Sequence, residues 1–119
     1  MTNAVEIISS MSEEWNAHNL DAVYERLGED YREYANGTLA KTGRDEARAI
    51  DQALYDMIPD YRRTVEETWG QEDRVLSRFT IHGTTSEGKR FEIAVAGIYG
   101  IRDGKISEAH LFFDPASAL

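Results

Sequence analysis

The spacing of apolar residues changes period once along this chain, near Tyr61, and that change does more than any other feature to limit its fold. Before it, apolar positions repeat at helical spacing; after it, they fall in β-rich runs. Val5, Ile8, Met11 and Trp15 form a helical stripe that fades at the polar run Asn16 to Asn19. Asn19 can cap a short second helix with Leu20, Val23 and Leu27 on one face and Gly28 at its stop. The stretch DYREYAN, Asp30 to Asn36, alternates like a strand and closes on the turn dipeptide Asn36-Gly37. A third helix starts near Thr42, with Asp45 and Glu46 in its first turn. Ala47, Ile50, Leu54, Met57 and Ile58 make its buried stripe, and Pro59 ends it. Then follow RRTVEETWGQ, RVLSRFTIHGTT, RFEIAVAGIYGI and KISEAHLFF, joined by the short connections that make antiparallel hairpins. Helices first and strands afterwards, with no βαβ alternation, predict an α+β fold: helices laid across one face of a curved antiparallel sheet.

A chain of 119 residues suits a single domain spanning 1–119. Its 13 Lys and Arg against 22 Asp and Glu give a net charge of −9, which repels phosphate backbones and anionic lipid. Neither a nucleic acid nor a membrane is therefore expected as a partner. The absence of cysteine excludes disulfides, zinc thiolates and thiol nucleophiles. No apolar run reaches the roughly 18 residues of a membrane span, and MTNAVEIISSMSEEW lacks the basic start and apolar stretch of a signal peptide. A cytoplasmic protein is the expectation. Phosphate loops, dinucleotide fingerprints, zinc-protease and nucleophile-elbow motifs are all missing.

The two longest strands are apolar on both faces. Val75, Phe79 and Ile81 oppose Leu76, Arg78, Thr80 and His82; Phe91, Ile93, Val95, Gly97 and Tyr99 oppose Ala94, Ala96 and Ile98. A solvated face would carry charges at every second position, so one face is expected under the helices and the other at a homodimer interface. Arg78 and His82 share a face with Thr80. If that face lines a cavity, the guanidinium can hold an anionic or carbonyl group and the imidazole can exchange a proton near neutral pH. Tyr34 and Asn36 can donate hydrogen bonds to a bound oxygen, although Asn36-Gly37 is also turn chemistry. His18 suits a helix C-terminus. The face taken by His110 and Asp114 depends on one turn. A two-residue hairpin at Asp103-Gly104 pairs position 97 with 110; a three-residue loop pairs it with 109 and turns Leu111 and Phe113 to that side instead.

WNAHNLDAVYERLGEDY, then GRDEA opening a helix, then RFTIHGTT, IYGIRDGKI and FFDPASAL resemble, in order and spacing, the SnoaL-like proteins of the nuclear-transport-factor-two-like superfamily. The resemblance covers essentially the whole chain. It implies a cone-shaped, strongly curved sheet wrapped by about three helices of the N-terminal half around a deep apolar pocket, often in a dimer. It also implies cofactor-free chemistry on small hydrophobic molecules, as in polyketide cyclases, ketosteroid isomerases and limonene-epoxide hydrolases. Most catalytic positions of those relatives are blank here. The isomerase tyrosine falls at Met11, its base at about Tyr34, the oxyanion aspartate or cyclase histidine at Gly97, and the late aspartate at Leu111. The epoxide-hydrolase Arg-x-Asp survives only as Arg78-Phe79-Thr80, while its Tyr-x-Asn is matched by Tyr34-Ala35-Asn36. The resemblance thus implies a pocket walled by Trp15, Ile93, Val95, Leu111 and Phe113. Tyr34, Asn36, Arg78, Thr80 and His82 would be its polar groups, and Gly97 would leave added room.

Two functions follow as expectations. One is a cofactor-independent enzyme doing acid/base chemistry on a hydrophobic carbonyl compound, with His82 as base and Arg78 and Tyr34 stabilising negative charge. The other is a non-catalytic module binding a small apolar ligand, favoured by the blank positions.

Overall fold

The structure, a computed structural model, describes residues 4–114. Three helices and six strands follow one another as α1 (Ala4–Asn16), α2 (Leu20–Glu25), β1 (Leu27–Ala35), β2 (Thr38–Thr42), α3 (Arg44–Met57), β3 (Arg62–Gln71), β4 (Arg74–Thr84), β5 (Arg90–Arg102) and β6 (Lys105–Phe112). The strands form one curved, unclosed sheet in the order β2-β1-β6-β5-β4-β3. All neighbours run antiparallel except β1 and β6, which are parallel. The α+β reading holds, and the helices lie on the concave side, with α1 against β3. The string FFDPASAL is described only as far as Asp114.

Asn19 caps α2, its side chain accepting from the Ala22 N–H at 3.2 Å. The helix ends earlier than its apolar pattern implies, because Leu27 already belongs to β1. Strand β2 was not legible as a strand. It folds back on β1 through Asn36-Gly37, both at positive φ (51° and 86°), the mirror-image turn that suits strand twist. Helix α3 presents Ala47, Asp51 and Tyr55 inward, whereas Ile50 and Met57, expected in the buried stripe, are 40% and 64% exposed. The helix is turned so that a carboxylate, not an isoleucine, faces the sheet.

The last hairpin follows neither of the two simple alternatives. Asp103 and Gly104 make a two-residue turn (φ 52° and 73°), with Arg102 opposite Lys105. A bulge then leaves Ser107 over, since Gly100 opposes Glu108 while Ile101 opposes Ile106. Position 97 therefore pairs with Leu111. The extra residue flips the strand, sending Ala109 and Leu111 inward and His110 outward.

Candidate active site

The concave side of the sheet carries a chain of buried polar side chains. Asp51, 3% exposed, sits between Ala47 and Tyr55 on the inner face of α3. It accepts a hydrogen bond from the Tyr24 hydroxyl of α2 and lies 2.8 Å from Lys41 Nζ. Lys41 and Glu33 are direct partners across β1 and β2, so their side chains share a face, with Nζ 3.1 Å from the carboxylate. Glu33 in turn accepts from the Tyr31 hydroxyl at 2.8 Å. Burial pushes the Asp51 carboxyl up to about 7, and the charge of Arg63 pulls against that rise. Burial lowers Lys41, with Glu33 opposing. Tyr31 is held well above its usual value by burial and by Glu33. An acid that titrates near neutrality thus lies inside the fold, aligned by a lysine and a tyrosine.

Opposite it stands Arg63, brought inward by β3 alternation with Tyr61 and Val65. Its Nε donates to the Tyr61 hydroxyl at 2.8 Å. Its guanidinium carbon lies 4.1 Å from the Trp15 ring centre and 4.9 Å from that of Phe79. Among the described residues no carboxylate oxygen comes within 4.0 Å of it. Trp15 Nε1 is buried and has no hydrogen-bond partner among the described residues. The Tyr99 hydroxyl, pushed up to about 12 by burial, is a neutral donor with no partner among the described residues. An arginine without a carboxylate partner and two donors without acceptors among the described residues, Trp15 Nε1 and the Tyr99 hydroxyl, therefore belong to residues that border the same cavity as Asp51 and Glu33.

Two small cavities of about 20 Å³ each occupy this space, each room for about one water. Asp51, Glu33, Tyr24 and Leu111 border the first, and Ser77, Val65 and Phe79 the second. The interior is thus tight and charged where an open apolar pocket was expected. A larger groove of about 670 Å³ lies where β1 parts from β6. Its rim residues Glu29, Asp30, Arg32, Arg102 and Asp103 are exposed to solvent. Among the described residues no three His, Asp or Glu side chains are grouped as a metal site.

The model of the SnoaL-like domain matches residues 8–109. The chain belongs to the SnoaL-like family. IdmH of Streptomyces antibioticus, a candidate polyketide cyclase, is 21% identical; 98% of this chain and 95% of that one are covered, with a TM-score of 0.84. An LEH-like epoxide hydrolase of M. tuberculosis is 17% identical, with 96% and 84% covered and a TM-score of 0.83. A protein of ketosteroid isomerase-like fold from Catenulispora acidiphila, solved with trimethylamine, is 19% identical, with 99% and 92% covered and a TM-score of 0.86. Identity at this level carries the fold and not the chemistry. No curated protein sequence matches the chain significantly.

Within this SnoaL-like domain the residues singled out from sequence separate into two groups. Trp15 and Leu111 border the interior cavities. Ile93 and Val95 pack in a core cluster with Phe79, against which Phe113 lies. Arg78, Thr80 and His82 are on the convex face, outside the cone. Register decides this: Arg78 opposes Ala96, Thr80 opposes Ala94, and His82 opposes Glu92, whereas Phe79 opposes Val95. Directly paired residues share a face, so Arg78 cannot look into the same space as Val95. Arg78 Nε donates to Glu67 at 2.9 Å, and Thr80 donates to Glu66 at 3.2 Å. His82 lies 3.1 Å from the Thr64 hydroxyl and 3.3 Å from Glu92. Tyr34 also faces outward, its ring stacked on His110 at 4.7 Å. Asn36 serves the turn and accepts from the Phe113 N–H at 3.0 Å. Gly97 leaves no added room, because the Tyr99 ring lies over it: a Cβ there would stand 2.8 Å from the Tyr99 oxygen.

Asp51, Arg63, Tyr24, Glu33 and Lys41 were not found from sequence. The signal for Asp51 was present, four residues after Ala47 and four before Tyr55. That for Arg63 was its place between Tyr61 and Val65 in strand alternation.

Proposed function

We propose that this protein is a cofactor-independent enzyme that transfers a proton on a hydrophobic, carbonyl-containing compound held inside the cone. One observation carries the reading: a carboxyl poised near neutrality and an arginine with no carboxylate partner border the same cavity. Asp51 takes a proton from the carbon beside the carbonyl, Arg63 holds the charge that develops on oxygen, and Asp51 returns the proton at a new position. Lys41 and Tyr24 aim the carboxylate. The isomerase-like, cyclase and epoxide-hydrolase folds among the relatives fit such chemistry on small apolar molecules.

The test is exchange of the α-hydrogens of 2-tetralone in deuterated buffer, followed by NMR. The protein is expected to accelerate exchange and Asp51→Asn to lose about 10²–10⁴-fold of it. Equal rates for the two would overturn the assignment.

A second reading rests on Met11, Gly97 and Leu111, apolar or blank where relatives place catalytic groups. On that reading the domain binds a small apolar ligand without converting it, and saturable binding with no exchange would favour it. On either reading we propose self-association through the convex face. There Trp69, Leu76, Ile98, His110 and Tyr34 are successive cross-strand partners in one row over five strands, and Trp69, Ile98 and Phe112 are exposed. Ile98→Lys should shift the sedimenting mass from dimer to monomer.

A further inference from the structure

The two interior cavities have four residues in common: Met11, Trp15, Arg63 and Tyr99. These side chains stand between them. Trp15 is wedged edge-on among Tyr24, Tyr55 and Tyr61, with ring centres 6.1 to 6.5 Å away. Arg63 is fastened through Nε to Tyr61 and lies over two rings. Met11 is unbranched and adapts to its surroundings. Tyr99 differs from all three. Its hydroxyl holds nothing among the described residues, and its ring rests on bare backbone, with the hydroxyl oxygen and two ring carbons 2.8 to 3.0 Å from where a Cβ of Gly97 would be. A side chain at 97 would evict it. The ring therefore occupies space that only glycine concedes, and nothing but packing keeps it there.

We propose that Tyr99, resting on Gly97, sets the size of the compound the interior accepts: displacement of the ring joins the two cavities into the chamber that a ligand occupies. The inference rests on the carbonyl-compound reading of the site and adds a residue that selects among such compounds. A ligand must do work to move the ring, so large ligands gain most when the ring is gone.

The test compares dissociation constants of cyclohexanone and 2-tetralone by calorimetry. Both ketones exceed either cavity, so Tyr99→Ala is expected to tighten both, 2-tetralone by about tenfold more than cyclohexanone. Tyr99→Phe, which keeps the ring, should leave the ratio as it is. Gly97→Ala should change the ratio in the native background and change nothing when combined with Tyr99→Ala. If Tyr99→Ala does not fold, Tyr99→Leu carries the same expectation. An unchanged ratio in the truncated variant, or an equal shift in Tyr99→Phe, overturns the role of the ring. Loss of deuterium exchange in Asp51→Asn with an unmoved size ratio would sink this inference alone. A shifted ratio in a protein that exchanges no hydrogen would sink the catalytic reading alone.

Discussion

Arg63 and Arg78 sit on adjacent strands, β3 and β4, and look through opposite faces of one sheet. On the convex side Arg78 is 57% exposed and meets Glu67 at 2.9 Å; Thr80 and His82 beside it likewise have Glu66 and Glu92. On the concave side Arg63 has rings and a tyrosine hydroxyl but no carboxylate within 4.0 Å among the described residues. Exposed pairs are cheap to make and cheap to lose, because water screens both partners. A cation inside the fold without an ion-pair partner is costly to keep, and a structure that keeps one has a use for its field. On the proposed reading, the chemistry lodges where pairing stays incomplete.

The comparison breaks first at Arg63. Arg63→Met removes the one cation that borders the cavities among the described residues and should cost about 10²–10³-fold in α-hydrogen exchange, measured at saturating ketone. Arg63→Lys should restore only part of it, since an ammonium lacks the flat fork that spans Tyr61 and two rings. A methionine variant with native exchange would mean that the inner cation is structural, and the contrast between faces would lose its meaning.

How far the sequence showed this contrast differs from element to element. Three helices, the turn dipeptides Asn36-Gly37 and Asp103-Gly104 and the alternation of β4 and β5 were readable, because each is written in local spacing. Which face of β4 lines the cone was not, since Arg78-x-Thr80-x-His82 looks as functional as Phe79-x-Ile81 looks structural. Their register against β5 decides it, and that is a non-local fact. The surplus Ser107 in β6 was equally hidden: a bulge has no composition of its own, yet it turns Leu111 in and His110 out. Asp51 was overlooked because Ile50, Leu54 and Met57 give α3 a stronger apolar stripe than the one it buries. A polar interior inverts the rule that the most hydrophobic face points inward.

The next expected effect concerns stability. Asp51 has a folded pKa of about 7 against an ordinary unfolded value of about 3.9. A carboxyl raised in the native state holds its proton more tightly there than in the unfolded chain. Its contribution to stability is therefore fully present below about pH 4 and is lost as pH rises through about 7. Asp51→Asn lacks this loss. The difference in unfolding free energy between the variant and the native protein should move in favour of the variant by about 2–4 kcal/mol between pH 4 and pH 8, as read from urea titrations. A constant difference would show that Lys41 keeps the carboxylate charged throughout, and the inner face would then be paired much as the outer one is.

The smallest effect is expected on the convex side, and it sharpens the comparison most. Arg78→Ala and His82→Ala each remove one member of a solvent-facing pair, and the thickness of the sheet separates both from Asp51. Their Coulombic reach is screened by water on their own side, so α-hydrogen exchange should change by no more than about twofold in either variant or in both together. The same measurement run in low and high salt gives a second reading. Exchange that depends on the outer charges would fall as salt is added, whereas exchange run by Asp51 and Arg63 inside the fold should hardly respond. A loss of about tenfold in His82→Ala would return the proton to the histidine that the strand pattern first brought forward, and would require the convex face, not the cone, to hold the substrate.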